Sequence, residues 1–193
     1  MGIVCGVGFN DGKYPSFING CRVWEYVRWS SMIYRCYHEK YKERQPTYKD
    51  CTVSENFKNY SYFYDWCQDQ IGCGLDGFEL DKDLLIKGNK IYSEDTCVFI
   101  PKELNILLED SKAIRGDNPI GVSFDKNRKK FQASIKINGK KVSLGRYHNK
   151  YDAFKAYKDA KESYIRDMAE KYKNFIDSRV YQSLEAYSVK VSD

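Results

Sequence analysis

Histidine is scarce in this sequence: His38 and His148 are the only two among 193 residues. Histidine is the side chain whose ordinary pKa lies near neutrality, so the chain has few candidates for a proton-transferring base. No apolar run approaches the ~18 residues that a membrane-spanning helix needs, and no membrane partner is expected. The first ten residues, MGIVCGVGFN, lack the charged start and long apolar stretch of a signal peptide. Gly2 stands where a myristoyl group attaches, but position 6 is Gly and not Ser or Thr, so that pattern fails. There is no C-x2-C pair, the usual spacing of a structural zinc site. The glycines at 72–77 lack the phosphate-loop pattern, and no internal repeat or low-complexity tract is present.

What the chain does have is aromatic bulk and an uneven charge. Residues are 42% hydrophobic and 16% aromatic, with 17 tyrosines, enough to bury a core in one large or two small domains. Seven cysteines, an odd number without an export signal, read as reduced thiols in a cytosol. The net charge is +5, but residues 119–161 carry 12 Lys and Arg against 3 Asp and Glu, a net of +9. The remainder holds 20 basic and 24 acidic residues and sums to −4.

The basic segment has the clearest pattern. Val122, Phe124, Phe131, Ala133, Ile135, Val142 and Leu144 alternate with polar residues, the period of half-buried strands. Asn138-Gly139 suits a two-residue hairpin turn, which needs positive φ at both central positions. The period then becomes helical, with Ala153, Ala156, Tyr157 and Ala160 on one face. Three antiparallel strands with a helix on their apolar face are expected. The other face carries Ser123, Asp125, Gln132, Ser134, Lys136, Lys141 and Ser143, with Arg128, Lys129 and Lys130 at the first turn. Such a basic, hydrogen-bonding face suits a phosphate backbone and leaves polar side chains for base edges. A solubilising face is the plain alternative.

The first half is organised by helices and turns. Short strands and turns are expected over 3–23, then a helix from Cys21 to Tyr37 and a polar loop over 38–50. Ser54 is placed to cap a second helix, whose Phe57, Tyr60, Phe63, Tyr64, Cys67 and Ile71 recur at helical spacing. Residues 80–101 read as a strand, a turn at Gly88-Asn89, and a helix start at Ser93, where Glu94 and Asp95 suit a first turn. That is the layout of a ββα metal finger. A short helix follows near Glu103 and a linker near 111–118; beyond the strands the helix from Lys150 is expected to continue toward Phe175, and Asp177-Ser178 to restart a last short helix from Arg179 to Tyr187.

Two resemblances rest on these residues. Gly121-Val122, Phe131 with Ala133 and Ile135, Leu144-Gly145 before Tyr147, and the alanine-rich helix resemble the Apetala-2 / ethylene-response-factor DNA-binding domain. The resemblance implies a sheet lying in the DNA major groove, with contacts from Ser123, Asp125, Ser134, Lys136, Lys141 and Ser143; several Arg and Trp of the plant members are missing here. The whole order of motifs resembles phage HNH-type, homing-endonuclease-like proteins. It runs from Trp29-Ser30 and Arg35-Cys36-Tyr37, through Leu80-Asp81-Lys82-Asp83, Lys87-Gly88-Asn89-Lys90 and Thr96-Cys97-Val98-Phe99, to Ala113-Ile114-Arg115-Gly116 and Arg179-Val180. That resemblance implies a bacteriophage protein in the cytoplasm of an infected host, with an HNH-like half fused to a DNA-binding half.

HNH nucleases hold one divalent metal and use a histidine to activate water. Here Lys82 stands where the base belongs, and a lysine is protonated near neutral pH. Asp81, Asp83 and Asn89 offer hard oxygen ligands for Mg²⁺ or Mn²⁺. The catalytic candidates are therefore His38, Lys82 and Asp83, with Thr96 at the helix position. Cys36, Cys51 and Cys97, joined by Cys67, Cys73 or His38, are the only zinc candidates, and buried free thiols are the commoner outcome. Three readings stand: a sequence-specific double-stranded-DNA-binding protein with a degenerate HNH-like half, an active nicking endonuclease, and an interaction protein that blocks or recruits a host factor. The expected fold is α+β. It comprises an HNH-like domain over 1–110, a linker over 111–118, an Apetala-2-like domain over 119–170 and a helical tail over 171–193.

Overall fold

The computed structural model describes residues 2–108 and 118–191. The fold is mixed α and β, with six α-helices and several small sheets among these residues. The chain divides into two compact units: Met1–Asn105 with Lys173–Val180, and Ile106–Tyr172 with Tyr181–Asp193. Residues of the expected tail thus fall in both. The expected linker, apart from Asn118, lies outside the described residues.

In the first unit β1 (Gly2–Val4) pairs with β2 (Gly8–Asn10), and β3 (Phe17–Ile18) with β4 (Cys21–Arg22) across Asn19-Gly20. Helix α1 (Trp24–Tyr37) buries Trp29, Met32, Ile33 and Cys36, the i, i+3, i+4, i+7 stripe of an amphipathic helix. The segment expected as loop after it contains a helix, α2 (Glu39–Arg44), and a single 3-10 turn over Pro46–Tyr48. Residues Glu39 to Arg44 are good helix formers, and Gln45 and Pro46 end the helix.

The helix expected to start at Ser54 starts later. The Ser54 hydroxyl accepts the Phe57 N–H and donates to Glu94, which closes only a 3-10 turn over Asn56–Lys58. Helix α3 (Tyr60–Gln68) is capped by Asn59, whose side chain accepts the N–H groups of Ser61 and Tyr62. Its Tyr60, Phe63 and Cys67 are buried, and Phe57, Phe63, Trp66 and Phe99 form a chain of ring contacts at 4.8–5.7 Å. The Trp29 indole donates to the Phe57 carbonyl, so this aromatic core is hydrogen-bonded as well as packed.

Strand β5 (Thr52–Val53) pairs in parallel with β7 (Ile91–Tyr92), and β6 (Phe78–Asp81) pairs antiparallel with β8 (Val98–Pro101). No helix starts at Ser93. Its hydroxyl bonds that of Thr96, and its carbonyl accepts the Cys97 N–H, which closes a turn. Val98, Phe99 and Ile100 are almost wholly buried in β8. Burying those three apolar residues outweighs a capping signal worth about 1 kcal/mol. The helix that follows the strand pair is α4 (Lys102–Leu108), so Thr96 is a turn residue and not a helix residue.

The second unit contains β9 (Val122–Asp125), β10 (Lys130–Ile137) and β11 (Lys140–Tyr147), antiparallel in the order β11-β10-β9. Asn138 and Gly139 have φ of +49° and +77°, the signs a tight hairpin turn requires. Helix α5 (Lys150–Tyr172) is capped by Asn149, whose side chain accepts the N–H groups of Tyr151 and Asp152. Val122, Ala133, Ile135, Ala153, Phe154, Tyr157 and Val189 form one core. Gly121 is where the chain enters this core. Its φ is +75°, and a Cβ there would lie 2.0 Å from the Tyr157 ring. Helix α6 (Ser178–Glu185) completes the described elements. No helix of the described residues is long and apolar enough to cross a membrane.

Candidate nucleic-acid interface and the loop over 81–97

Strand register fixes which side chains share the outer face of β9–β11. Gln132 stands between Ser123 and Arg146, Ser134 opposite Ser143, Lys136 opposite Lys141, and Lys130 opposite Asp125. Ser123, Lys136, Lys141 and Ser143 are exposed. Arg128 and Lys129 are exposed in the turn between β9 and β10. All ten expected sheet residues therefore fall on the outer face or in that turn.

Arg146 is the residue that sequence reasoning missed. Simple alternation from Lys141 and Ser143 puts position 146 on the inner face. The register shifts between Ala133 and Ser134, leaving Leu144 as the extra residue on β11 and bringing Arg146 beside Gln132. Leu144 packs against the core from this bulge. The Leu144-Gly145 pair was the available signal, because a glycine inside a strand pattern marks a bulge.

Asp125 organises one end of this face. Its Oδ1 accepts the N–H groups of Asn127 and Arg128, and its Oδ2 meets Arg128 Nη1 at 3.2 Å and Arg146 Nε at 3.7 Å. The N–H and guanidinium of Arg128 hold its carboxyl below the usual range. Asp125 thus serves to aim two arginines rather than to face a base alone. At the other end, Lys136 and Lys141 are exposed like charges directly opposite each other, an arrangement that disfavours the sheet by itself.

The loop after β6 uses its charges internally. Lys82 is buried and its Nζ lies 3.1 Å from Asp83 Oδ2 and 5.7 Å over the Tyr92 ring. Burial works against its charge, but Asp83 outweighs burial and holds the Lys82 pKa above its ordinary value. Lys82 is therefore a worse base here than in water. Asp81 Oδ1 accepts the N–H groups of Asp83 and Leu84, an Asx turn. Burial, then the neighbouring Asp83, push the Asp81 carboxyl up to about 6. Asn89 stitches the loop: its Nδ2 donates to the carbonyls of Lys82 and Ile91, and its Oδ1 accepts the Ile91 N–H.

As these side chains stand, most of their polar groups are engaged within the loop. The Lys82 ammonium already faces Asp83, two backbone N–H groups occupy one oxygen of Asp81, and the Asn89 oxygen is engaged. Among the described residues no three His, Cys, Asp or Glu side chains converge to hold a metal. His38 caps α1 and its ring stacks on Tyr34 at 4.2 Å. Asp81 adds a near-neutral group to the few that the sequence offers.

Four of the five cysteines among the zinc candidates are buried, while Cys73 is half-buried. Cys36, Cys51, Cys67 and Cys97 are buried free thiols. Burial first, then Cys51, pushes Cys36 up to about 12, and burial does the same for Cys97. A thiol so placed stays protonated at neutral pH and packs as a small hydrophobe. No family model, no curated protein and no solved structure matches this chain.

Proposed function

We propose that this protein binds double-stranded DNA in a sequence-specific way with the outer face of β9–β11, and that its first half is a degenerate HNH-like module, as in the phage-type proteins it resembles. The observation that carries the reading is the Lys136–Lys141 pair at the head of a polar, basic face. Like charges held directly opposite in a sheet cost stability, and an anionic partner recovers that cost. Gln132, Arg146, Ser134 and Ser143 lie between this pair and the Asp125 cluster. They supply hydrogen-bonding groups of the kind that read base edges. Arg128, Lys129 and Lys130 lie where phosphate contacts set register.

Support for the HNH-like half is the order antiparallel β6–β8, then α4. On this reading the helix position falls in α4, where Asn105 donates to Glu79. Support for degeneracy is the buried Lys82 in its pair with Asp83. No reaction step is assigned to it.

The test uses the full chain. About five phosphate contacts give a slope of about −4 in log affinity against log salt, and Lys136→Ala with Lys141→Ala brings it toward −2. The same double variant raises the melting temperature, because the repulsion goes with the charge. A salt-independent affinity, or a double variant that binds as wild type does, refutes the sheet-based reading. Incubation with phage and host DNA plus Mg²⁺ or Mn²⁺ tests the first half separately: discrete cuts would refute degeneracy.

A further inference from the structure

The first unit holds an open cavity of about 390 Å³, walled mainly by α1 and closed by β1, β4 and α2. Residues 22, 26, 30 and 34 recur every four positions along α1 and its approach, so they share one face, while Trp29, Met32, Ile33 and Cys36 turn into the core. The cavity therefore brings together Arg22, Tyr26, Tyr34, Arg35 and Tyr41. Ser30 and Ser31 add two hydroxyls, and among the described residues no carboxylate lines it.

Arg35 is the informative member. Burial works against its charge, but the phenols of Tyr92, Tyr48 and Tyr41 beside it, with a hydrogen bond to Tyr92, outweigh burial and hold its pKa above the ordinary value. Among the described residues it makes no ion pair with a carboxylate. Arg28 is close enough to act on it as a second cation. A half-buried guanidinium that stays charged and has no carboxylate partner suits an anion with matching donor geometry, and a phosphate matches a guanidinium. Three tyrosine rings lining the same cavity match something flat and aromatic. A cavity of this size lies within the usual range for small-molecule sites.

We propose that this cavity binds a nucleotide, with the phosphate on Arg22 and Arg35 and the base against the tyrosine rings. Tyr26 packs on Trp29 and Tyr60, Tyr34 stacks on His38, and Tyr41 packs on Tyr34 and Tyr48, so the base would meet rings that their neighbours hold in place. The nucleotide is either free in solution or one unit of a single strand; the recognition chemistry is the same. The inference goes beyond the sheet-based reading and does not depend on it, since the cavity and the sheet belong to different units.

Titration calorimetry and thermal melting of the full chain test it with thymidine 5′-monophosphate, thymidine and inorganic phosphate as probes. The monophosphate is expected to bind at least about tenfold tighter than either half alone. Arg35→Met is expected to weaken it by about tenfold or more. Arg22→Gln, at the exposed rim, is expected to weaken it without changing the melting temperature. A tetrathymidylate probe, read in the Lys136→Ala/Lys141→Ala background, assigns the source. Tighter binding than the monophosphate marks a strand, and weaker binding marks a free nucleotide. The proposal is overturned by no saturable binding of the monophosphate up to ~10 mM, by equal affinity for inorganic phosphate, or by affinities unchanged in both arginine variants. A fall in melting temperature for Arg35→Met with unchanged affinity would make Arg35 structural and overturn it as well.

Discussion

The outer sheet face and the loop after β6 are built from similar residues, yet they dispose of charge in opposite ways. On the sheet, period-two geometry sends Lys136, Lys141 and Ser143 outward, where Lys136 and Lys141 repel one another. In the loop, Lys82 and Asp83 neutralise each other, Asp81 is consumed by two backbone N–H groups, and Asn89 by three backbone groups. The sheet is held by the core beneath it and has polar side chains to spare. The loop has no regular partner for its backbone, so its polar side chains satisfy that backbone instead. Polar residues in a sequence therefore suggest a binding site only where the backbone has already been satisfied by something else.

The comparison breaks most sharply at Gly121. Gly121→Ala places a methyl 2.0 Å from the Tyr157 ring at a φ of +75°. The expected loss is about 3 kcal/mol or more in the second unit, through displaced helix–sheet packing and left-handed strain. DNA affinity should collapse, while the near-ultraviolet circular dichroism of Trp24, Trp29 and Trp66, all in the first unit, stays largely unchanged. Retained DNA affinity with normal melting would show that the sheet is not the binding element.

Next in size is a pH effect confined to the loop. The folded-state pKa of Asp81 is about 6, raised from 3.8 by burial and then by Asp83. The folded protein therefore holds this proton more tightly than the unfolded chain does. Its stabilising contribution is complete below pH ~4 and is lost as pH rises through ~6, by at most about 2–3 kcal/mol. Asp81→Asn keeps an oxygen for the N–H groups of Asp83 and Leu84 and should flatten stability against pH across that window. An unchanged pH profile would mean that Asp81 is not held in this environment. DNA affinity should not follow this titration, because the sheet does not use Asp81.

Lys82→Met follows. It removes the ammonium that faces Asp83, and Asp83 is about half exposed. Water then takes over part of the lost interaction, so the expected cost is about 1–2 kcal/mol. DNA affinity should stay within about twofold. Gained stability would show that the pair is held for a purpose other than folding.

The parts that were legible in the sequence are those set by local period. The apolar stripe of α1, the alternation in β10 and β11, the Asn138-Gly139 turn and the long α5 each follow from neighbours a few residues apart. The misreadings have a common cause. Ser93 and Ser54 look like helix caps locally, but buried β8 claims the residues after Ser93, and Glu94 and Phe57 claim the Ser54 hydroxyl. The β5–β7 pairing joins residues 39 apart and leaves no local trace. α2 is hidden in the sequence because a polar run before a proline reads as loop. The pairing of Lys82 with Asp83 depends on burial that the sequence does not show. The neutral-range carboxyl at Asp81 depends on burial, which composition cannot supply.

The finest differences, in preference at single base pairs, distinguish reading from positioning within the sheet itself. Lys129 lies in the exposed turn with φ of +50°, and the proposed reading assigns it to phosphate and not to a base edge. Arg146 is fixed by the bulge beside Gln132 and steered by Asp125. Arg146→Ala should cost roughly 1–3 kcal/mol against the preferred site and relax preference at one base pair. Lys129→Ala should weaken all sequences alike and remove about 0.9 from the salt slope. Binding profiles over a randomised site, measured at two salt concentrations, separate the two outcomes. Gln132→Ala should behave like Arg146→Ala, since the two side chains are cross-strand neighbours. Identical profiles for Lys129→Ala and Arg146→Ala would mean that the bulge aims nothing at the bases. The outer face would then be a patch of positive charge, no more selective than a solubilising surface.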